Sequence, residues 1–262
     1  MSLEERIKKM ENKRTMRLHC INETANEIQL VPFGDLHYGD KSCNINRAKE
    51  TIDWVRTHEN ARVILMGDML NSATKTSVGA AVFDEDSHGQ EQLEFMTELL
   101  RPIKNKIYAS VTGNHEFRIY KDSGYDVTKI MAKDLGHKYL GYGGFLKVKV
   151  GKNNYTFYVT HGSSGATLPY TKIKKLLDIS SFIDADVYCM GHVHSLQSHT
   201  QEVQRVDLRA RTVVKDKKYY VLTGHYLNYA DSYAEMKNMR PEKQGSPTIV
   251  LGGLKRSVRV IL

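Results

Sequence analysis

The chain has 262 residues, 40% of them hydrophobic and 26% charged, the balance of an ordinary globular protein, which excludes disordered, collagen-like and membrane-spanning classes. Lys and Arg number 38 against 30 Asp and Glu, a formal charge of +8 that suits phosphate or polyanion partners without bearing on the fold. No stretch reaches the roughly 18 consecutive apolar residues of a membrane span, and the opening MSLEERIKKMENKR lacks the apolar segment of a secretory signal, so a cytoplasmic location and no membrane partner are expected.

Leu3, Ile7 and Met10 sit at helical spacing among basic residues. MRLHCI and EIQLVPF follow as strands of a hairpin or of neighbouring positions. Ile45, Ala48, Ile52 and Val55 line one face of a helix, and the apolar run RVILM makes the next strand. Residues 71–90 read as an irregular loop, after which Leu93, Met96 and Leu100 mark a helix stopped near Pro102. KIYASV is a buried strand, and Val127, Ile130, Met131 and Leu135 mark a helix beginning near Asp126. FLKVKV and NYTFYV alternate around GKNN as a hairpin. A helix opens at Pro169 with Ile173, Leu176 and Leu177 inward, and DVYCM is a short strand. From about Leu196 the chain is mostly β: QEVQRVDLRA, TVVKDKKYYVL with a polar turn, and a terminal pair around PTIVL and SVRVIL. With no repeat or linker, this order predicts a single α/β domain over 1–262, its central sheets covered by helices.

Five of the strands run into Gly or a small polar residue and then into Asp, Asn or His: Asp35 and His37, Asp68, Asn114 with His115 and Glu116, His161, and His192 with His194. In open α/β sheets ligands lie beyond the carboxyl ends of strands, where these side chains can meet. Taken singly each is weak. Gly-Asp after a strand is usually a turn, and Asp-x-His or His-x-His puts two side chains on one side of an extended segment or simply marks a surface turn. Together, Asp35, His37, Asp68, Asn114, His161, His192 and His194 are all nitrogen or oxygen donors. They are too many for one tetrahedral zinc and suit two ions about 3.5–4 Å apart bridged by one carboxylate, with Asp68 the natural bridge. Cys20, Cys43 and Cys189 show no metal or disulfide spacing, which leaves manganese first, with Fe, Zn, Co or Ni as alternatives, and fits a reducing compartment.

The series Asp35-x-His37, Gly67-Asp68, Gly113-Asn114-His115-Glu116, Thr160-His161-Gly162 and Gly191-His192-Val193-His194 resembles the ordered motif set of the calcineurin-like metallophosphoesterase superfamily. GHYLNYADSYAEMK is similar to a segment of its phage-encoded members. The resemblance implies a four-layer α/β/β/α sandwich of two mixed sheets flanked by helices, with the motifs in 35–194 and β completion in 195–262. It also implies one metal on Asp35, His37, Asp68 and His194 and another on Asp68, Asn114, His161 and His192. A departure lies at Asn71, where many members carry an acid.

Two such ions would generate a bridging hydroxide to attack phosphorus, while His115, one residue past Asn114, protonates the leaving oxygen; the blander alternative is that His115 only hydrogen-bonds its loop. Asn114 and Arg118 are candidate substrate contacts, although a solvated Arg is the simpler view. Glu116 is expected to orient His115 or to cap the segment after it. His88 and the loop 71–90 could form a lid, and His225 and Tyr226 could reach substrate. Lys172, Lys174 and Lys175 read as a solvated helix face, and Lys215, Lys217 and Lys218 as a turn. Tyr219, Tyr220, Tyr226, Tyr229 and Tyr233 are candidates for stacking on bases. The expected activity is a phosphodiesterase or nuclease acting on DNA, RNA or nucleotides. A phosphomonoesterase and a non-catalytic scaffold are the alternatives, and the oligomeric state, a homodimer included, stays open.

Overall fold

The computed structural model describes residues 2–12, 16–74 and 85–262. Its first half runs α1 (Leu3–Asn12), β1 (Arg17–Glu23), β2 (Glu27–Phe33), α2 (Ile45–Thr57), β3 (Ala61–Leu65), α3 (Gly89–Leu100), a 3₁₀ turn over Arg101–Lys106, β4 (Ile107–Ser110), α4 (Asn114–Ser123), α5 (Val127–Leu135) and β5 (Lys138–Tyr139). The rest comprises β6 (Gly143–Val150), β7 (Asn153–Thr160), α6 (Pro169–Ile179), β8 (Val187–Met190), β9 (Leu196–Asp207), β10 (Thr212–Thr223), α7 (Tyr233–Met236), β11 (Thr248–Gly252) and β12 (Val258–Ile261).

The strands form two mixed sheets, ordered β1-β6-β7-β8-β10-β9 and β12-β11-β2-β3-β4-β5. Side chains alternate across the strands and so feed three apolar layers. Ile28 and Leu30 of β2 meet Phe157 and Val159 of β7 between the sheets. On the other face of the second sheet, Val31 and Phe33 pack against Ala48, Ile52 and Val55 of α2 and Met96 and Leu100 of α3. Leu176 and Ile179 of α6 cover Tyr188, Met190, Tyr220 and Leu222 on the outer face of the first sheet. The result is the expected helix–sheet–sheet–helix order. Among the described residues no helix is long and apolar enough to cross a membrane.

Several sequence expectations change. β1 and β2 are neither a hairpin nor neighbours, because β1 pairs with β6 and β2 with β3 and β11, in different sheets. β1 is a half-exposed edge whereas β2 is buried on both faces, a difference set by what packs on them. Leu3 and Ile7 of α1 are 72% and 47% exposed, so helical spacing there marks no core face; in α5 Val127, Met131 and Leu135 are buried as expected and only Ile130, 44% exposed, departs. The side chain of Met10 and residues 75–84 of the expected loop lie outside the described residues. Lys215, Lys217 and Lys218 lie within β10, not in a turn. The segment after Asn114 is a helix that the periodicity did not signal. It stops at Gly124, whose φ of 78° is the left-handed conformation of a C-terminal glycine.

Lys172 departs furthest from its expected solvated face, being 5% exposed. Its Nζ lies 2.8 Å from Oε1 of Glu242. Removing one member of a buried pair leaves the other charge without its partner. Because Glu242 retains some contact with solvent (its side chain is 22% exposed), Lys172→Ala is expected to cost about 2 kcal/mol rather than the larger value of a fully buried pair. Urea denaturation would measure it, and an unchanged midpoint would show that the pair contributes nothing.

Candidate metal centre

β2, β3 and β4 run parallel in one sheet, as do β7 and β8 in the other, so their carboxyl ends open on one edge of the sandwich. The loops there bring together all seven donors singled out in the sequence. They do so by an unexpected route. Asp35, His37, Asp68, His192 and His194 have φ of 52°, 51°, 48°, 69° and 46°, so none of the paired motifs is an extended segment with alternating side chains. Left-handed residues other than Gly are strained and cluster where a site over-determines them. Here the hydrogen bonds do so: Asp35 N donates to Gly67 O at 3.0 Å, His37 N to Asp68 O at 2.9 Å, and Tyr226 N to Asp35 O at 3.0 Å. Amides of one loop also hold the carboxylates of another, His192 N donating to Asp35 Oδ1 and His115 N to Asp68 Oδ1, each at 2.9 Å. Gly113 is required by space, since a methyl group there would overlap the Asp68 carboxylate.

Three overlapping donor groups result. Ligand atoms of Asp35, His37 and His194 lie within 4.8 Å of one another, as do those of Asp68, His161 and His192, and a third group of His37, Asp68 and His115 links the two. Asp68 Oδ2 faces both sides, 3.1 Å from His161 Nε2 and 3.7 Å from His37 Nε2. Asn114 Oδ1 joins the second group, 2.7 Å from His192 Nδ1 and 3.0 Å from His161 Nε2. The His161 Nδ1–H donates to Met66 O at 2.8 Å, which aims Nε2 at the centre, the support that metal-ligating histidines usually have. The donor types and their convergence fit hard or borderline divalent ions.

Electrostatics agree with that use. Burial, and then His115, hold His37 well below the usual imidazole range, and burial with His161 lowers His192. Both are therefore neutral near pH 7, the state in which a ring nitrogen binds a cation. Burial pushes the Asp68 carboxyl up, but His161, His115 and His37 together outweigh it and hold it well below the usual carboxylate range. Burial likewise opposes charge on His161, yet Asp68 raises it to about 10. A buried carboxylate needs such a proton, or a cation, beside it.

His115 and Arg118 meet at the rim. The Nδ1–H of His115 donates to Asn71 O at 2.7 Å, and its Nε2 accepts from the Arg118 guanidinium at 3.1 Å. Arg118 is thus part of the site, not a solvated side chain. Glu116 caps α4 through Gly113 N at 3.0 Å and also accepts from the amides of Asp68, Met69 and Leu70 at 3.0, 2.6 and 3.1 Å. Sequence reasoning missed the Asn71 carbonyl and Glu85, whose Oε1 accepts from Asn71 Nδ2 at 3.1 Å and Ala73 N at 2.8 Å. No motif signalled either, since a main-chain acceptor has no residue type and Glu85 meets Asn71 from 14 residues along the chain.

His88 is the exposed residue just before α3, and residues 75–84 of the loop expected as a lid lie outside the described residues. Tyr226 is fully buried, its hydroxyl between Thr51 Oγ1 and Ser246 Oγ at 2.9 and 3.0 Å. His225 is close but buried, its ring stacked on His194 at 5.4 Å, and burial lowers it to about 4. Tyr220, like Tyr226, is a core residue closed to bases, whereas Tyr219 and Tyr229 are half-buried and Tyr233 is exposed.

An α/β sandwich with imidazole, amide and carboxylate donors gathered at one edge of both sheets defines a class of metal-competent proteins. Within that class the chain belongs to the calcineurin-like phosphoesterase family, whose model matches residues 30–253. Members of that family bind divalent metals. No curated protein matches the chain. Among solved structures it is similar to a metallophosphoesterase from Sphaerobacter thermophilus, at 12% identity over 89% of this chain and 87% of that one, with a TM-score of 0.43. It is also similar to wild-type Vps29 complexed with Zn²⁺ from Entamoeba histolytica, at 15% identity over 89% and 97%, with a TM-score of 0.39.

Proposed function

We propose that the protein is a dinuclear-metal phosphodiesterase acting on nucleic acid or nucleotides. The observation that carries this is the set of overlapping donor groups around Asp68, with Arg118 beside His115. Asp35, His37, Asp68 and His194 would hold one ion and Asp68, Asn114, His161 and His192 the other, with manganese as the expected metal. Bound there, two divalent ions lower the pKa of a water toward neutrality and offset the negative charge that develops around phosphorus. Residues 1–262 act as one domain, a view supported by the inter-sheet core, to which β1 adds Ile21 and β12 adds Val258 and Val260.

The protein's own groups do the rest. Arg118 offers a planar fork suited to phosphate oxygens. When it turns to an anionic substrate, His115 Nε2 is released toward the leaving group. Asn71 O fixes the His115 tautomer by holding Nδ1–H, so that a proton acquired at Nε2 passes to the departing oxygen. Burial disfavours that charged form, and the Asp68 carboxylate favours it.

His115→Ala is expected to lower kcat for a diester with an alkoxide leaving group by roughly 10²- to 10⁴-fold. A p-nitrophenyl diester, whose leaving group needs no proton, should lose far less, and bound manganese should not change. Equal effects on the two substrates would remove the acid role. Comparing p-nitrophenyl mono- and diesters tests the diesterase preference, and a higher kcat/KM for the monoester would overturn it.

A further inference from the structure

The metal centre opens sideways into a cavity of about 340 Å³ whose lining includes Asn114 and His161 on one wall and Phe117 and Tyr142 on another, a volume at the small end of ligand sites. The aromatic wall extends beyond the cavity. The Phe117 ring meets Tyr142 edge-to-face at 5.5 Å and 81°, and stacks with Tyr120 at 5.8 Å and 24°. Phe117, Tyr120 and Tyr142 are 36%, 46% and 63% exposed. Single exposed aromatics need no explanation, but a contiguous group of three at the mouth of a site does.

Their placement ties them to the chemistry. Asn114, Phe117 and Tyr120 follow at spacings of three along α4, so Phe117 neighbours both Asn114 and Tyr120 on the helix surface. Tyr142 is fixed by Thr160, whose Oγ1 donates to Tyr142 O at 3.0 Å, and the next residue is His161. Both halves of the aromatic wall are therefore mounted on residues adjoining the donors of the second group. Arg118, the neighbour of Phe117, turns its guanidinium to the His115 side.

From this arrangement we propose that Phe117, Tyr120 and Tyr142 form a stacking platform for an unpaired nucleobase of the phosphodiester substrate. The inference rests on the phosphodiesterase reading and deepens it by naming the substrate class, single-stranded nucleic acid or a frayed strand end. A flat ring with a free face is what an aromatic side chain recognises in any base, and such stacking is sequence-tolerant. Bases inside a duplex have both faces covered, so the platform selects against them. The chain's +8 charge favours the polyanion, while the platform supplies what charge alone lacks, discrimination between a base and a bare sugar-phosphate.

The test uses the full chain with Mn²⁺ and a hydrolysis-resistant phosphorothioate tetranucleotide, its abasic counterpart, and a duplex of the same length, with binding followed by fluorescence anisotropy. The wild type is expected to bind the base-bearing single strand at least about tenfold more tightly than either control, given roughly 5- to 150-fold per stacked base. Tyr142→Ala and Phe117→Leu should each shrink that preference, and Tyr142→Trp should keep it. No preference in the wild type, or the same preference in both weakened variants, overturns the platform. Turnover of the corresponding phosphate diester is measured in parallel. Intact base preference without hydrolysis would overturn the phosphodiesterase reading and leave the platform standing, whereas hydrolysis without base preference would do the reverse.

Discussion

Asp68→Asn is expected to reduce phosphodiester hydrolysis by on the order of 10³-fold or more and to lower bound manganese, because the substitution removes the negative charge that lies between His161 of one donor group and His37 of the other. The fold should survive. An Asn side chain keeps an oxygen where Asp68 Oδ1 accepts the His115 amide at 2.9 Å, and its volume is the same. Metal analysis after gel filtration, with circular dichroism as a check on folding, separates loss of metal from loss of structure. Normal activity with a normal metal content would show that Asp68 does not bridge the two groups.

Glu116→Ala should act on stability before it acts on chemistry. The carboxylate is 1% exposed and accepts from four amides, those of Asp68, Met69, Leu70 and Gly113, so it ties the loop after β3 to the start of α4. Burial, and then the charge of Asp68, push its pKa up to about 7, against the pull of the amides toward the ionised form. Truncation leaves buried N–H groups without partners, each costing about 1–3 kcal/mol. A net loss of about 3 kcal/mol or more, seen as a fall in Tm of roughly 6–12 °C, is expected. Glu116→Gln should lose less, because one acceptor oxygen remains. Activity should fall with stability in the Ala variant, since the freed loop carries Asp68. A Tm within about 1 °C of the wild type would show that water replaces the carboxylate without cost.

The two cases differ in how legible they were. Asp68 was readable because metal donors are few in kind and the end of a strand is easy to locate from an apolar run. Glu116 was half readable: three residues past Gly113 it suggested a cap, but its bonds to the amides of 68–70 span 46 to 48 residues, and no local pattern encodes them. Lys172 and Tyr220 show the converse error. Local composition made one a solvated cation and the other a candidate stacking ring, but Tyr220 is buried where α6 packs on the first sheet and Lys172 is buried in a pair with Glu242. The rings of the proposed platform, Phe117 and Tyr120 of α4 with Tyr142, come from segments that no motif joins.

From its sequence alone most of this protein's elements, its layered α/β class and the seven donor residues could be read. Each depends on short-range facts: the period of apolar residues, the chemistry of a side chain, and the rule that loops leave a parallel sheet at one edge. Tertiary structure alone decided the left-handed turns that aim Asp35, His37 and Asp68 inward, the contact of Arg118 with His115, and which aromatics remain uncovered. Those outcomes come from hydrogen bonds and packing between segments distant in the chain, and side-chain direction and exposure are properties of neighbours that a linear pattern does not contain.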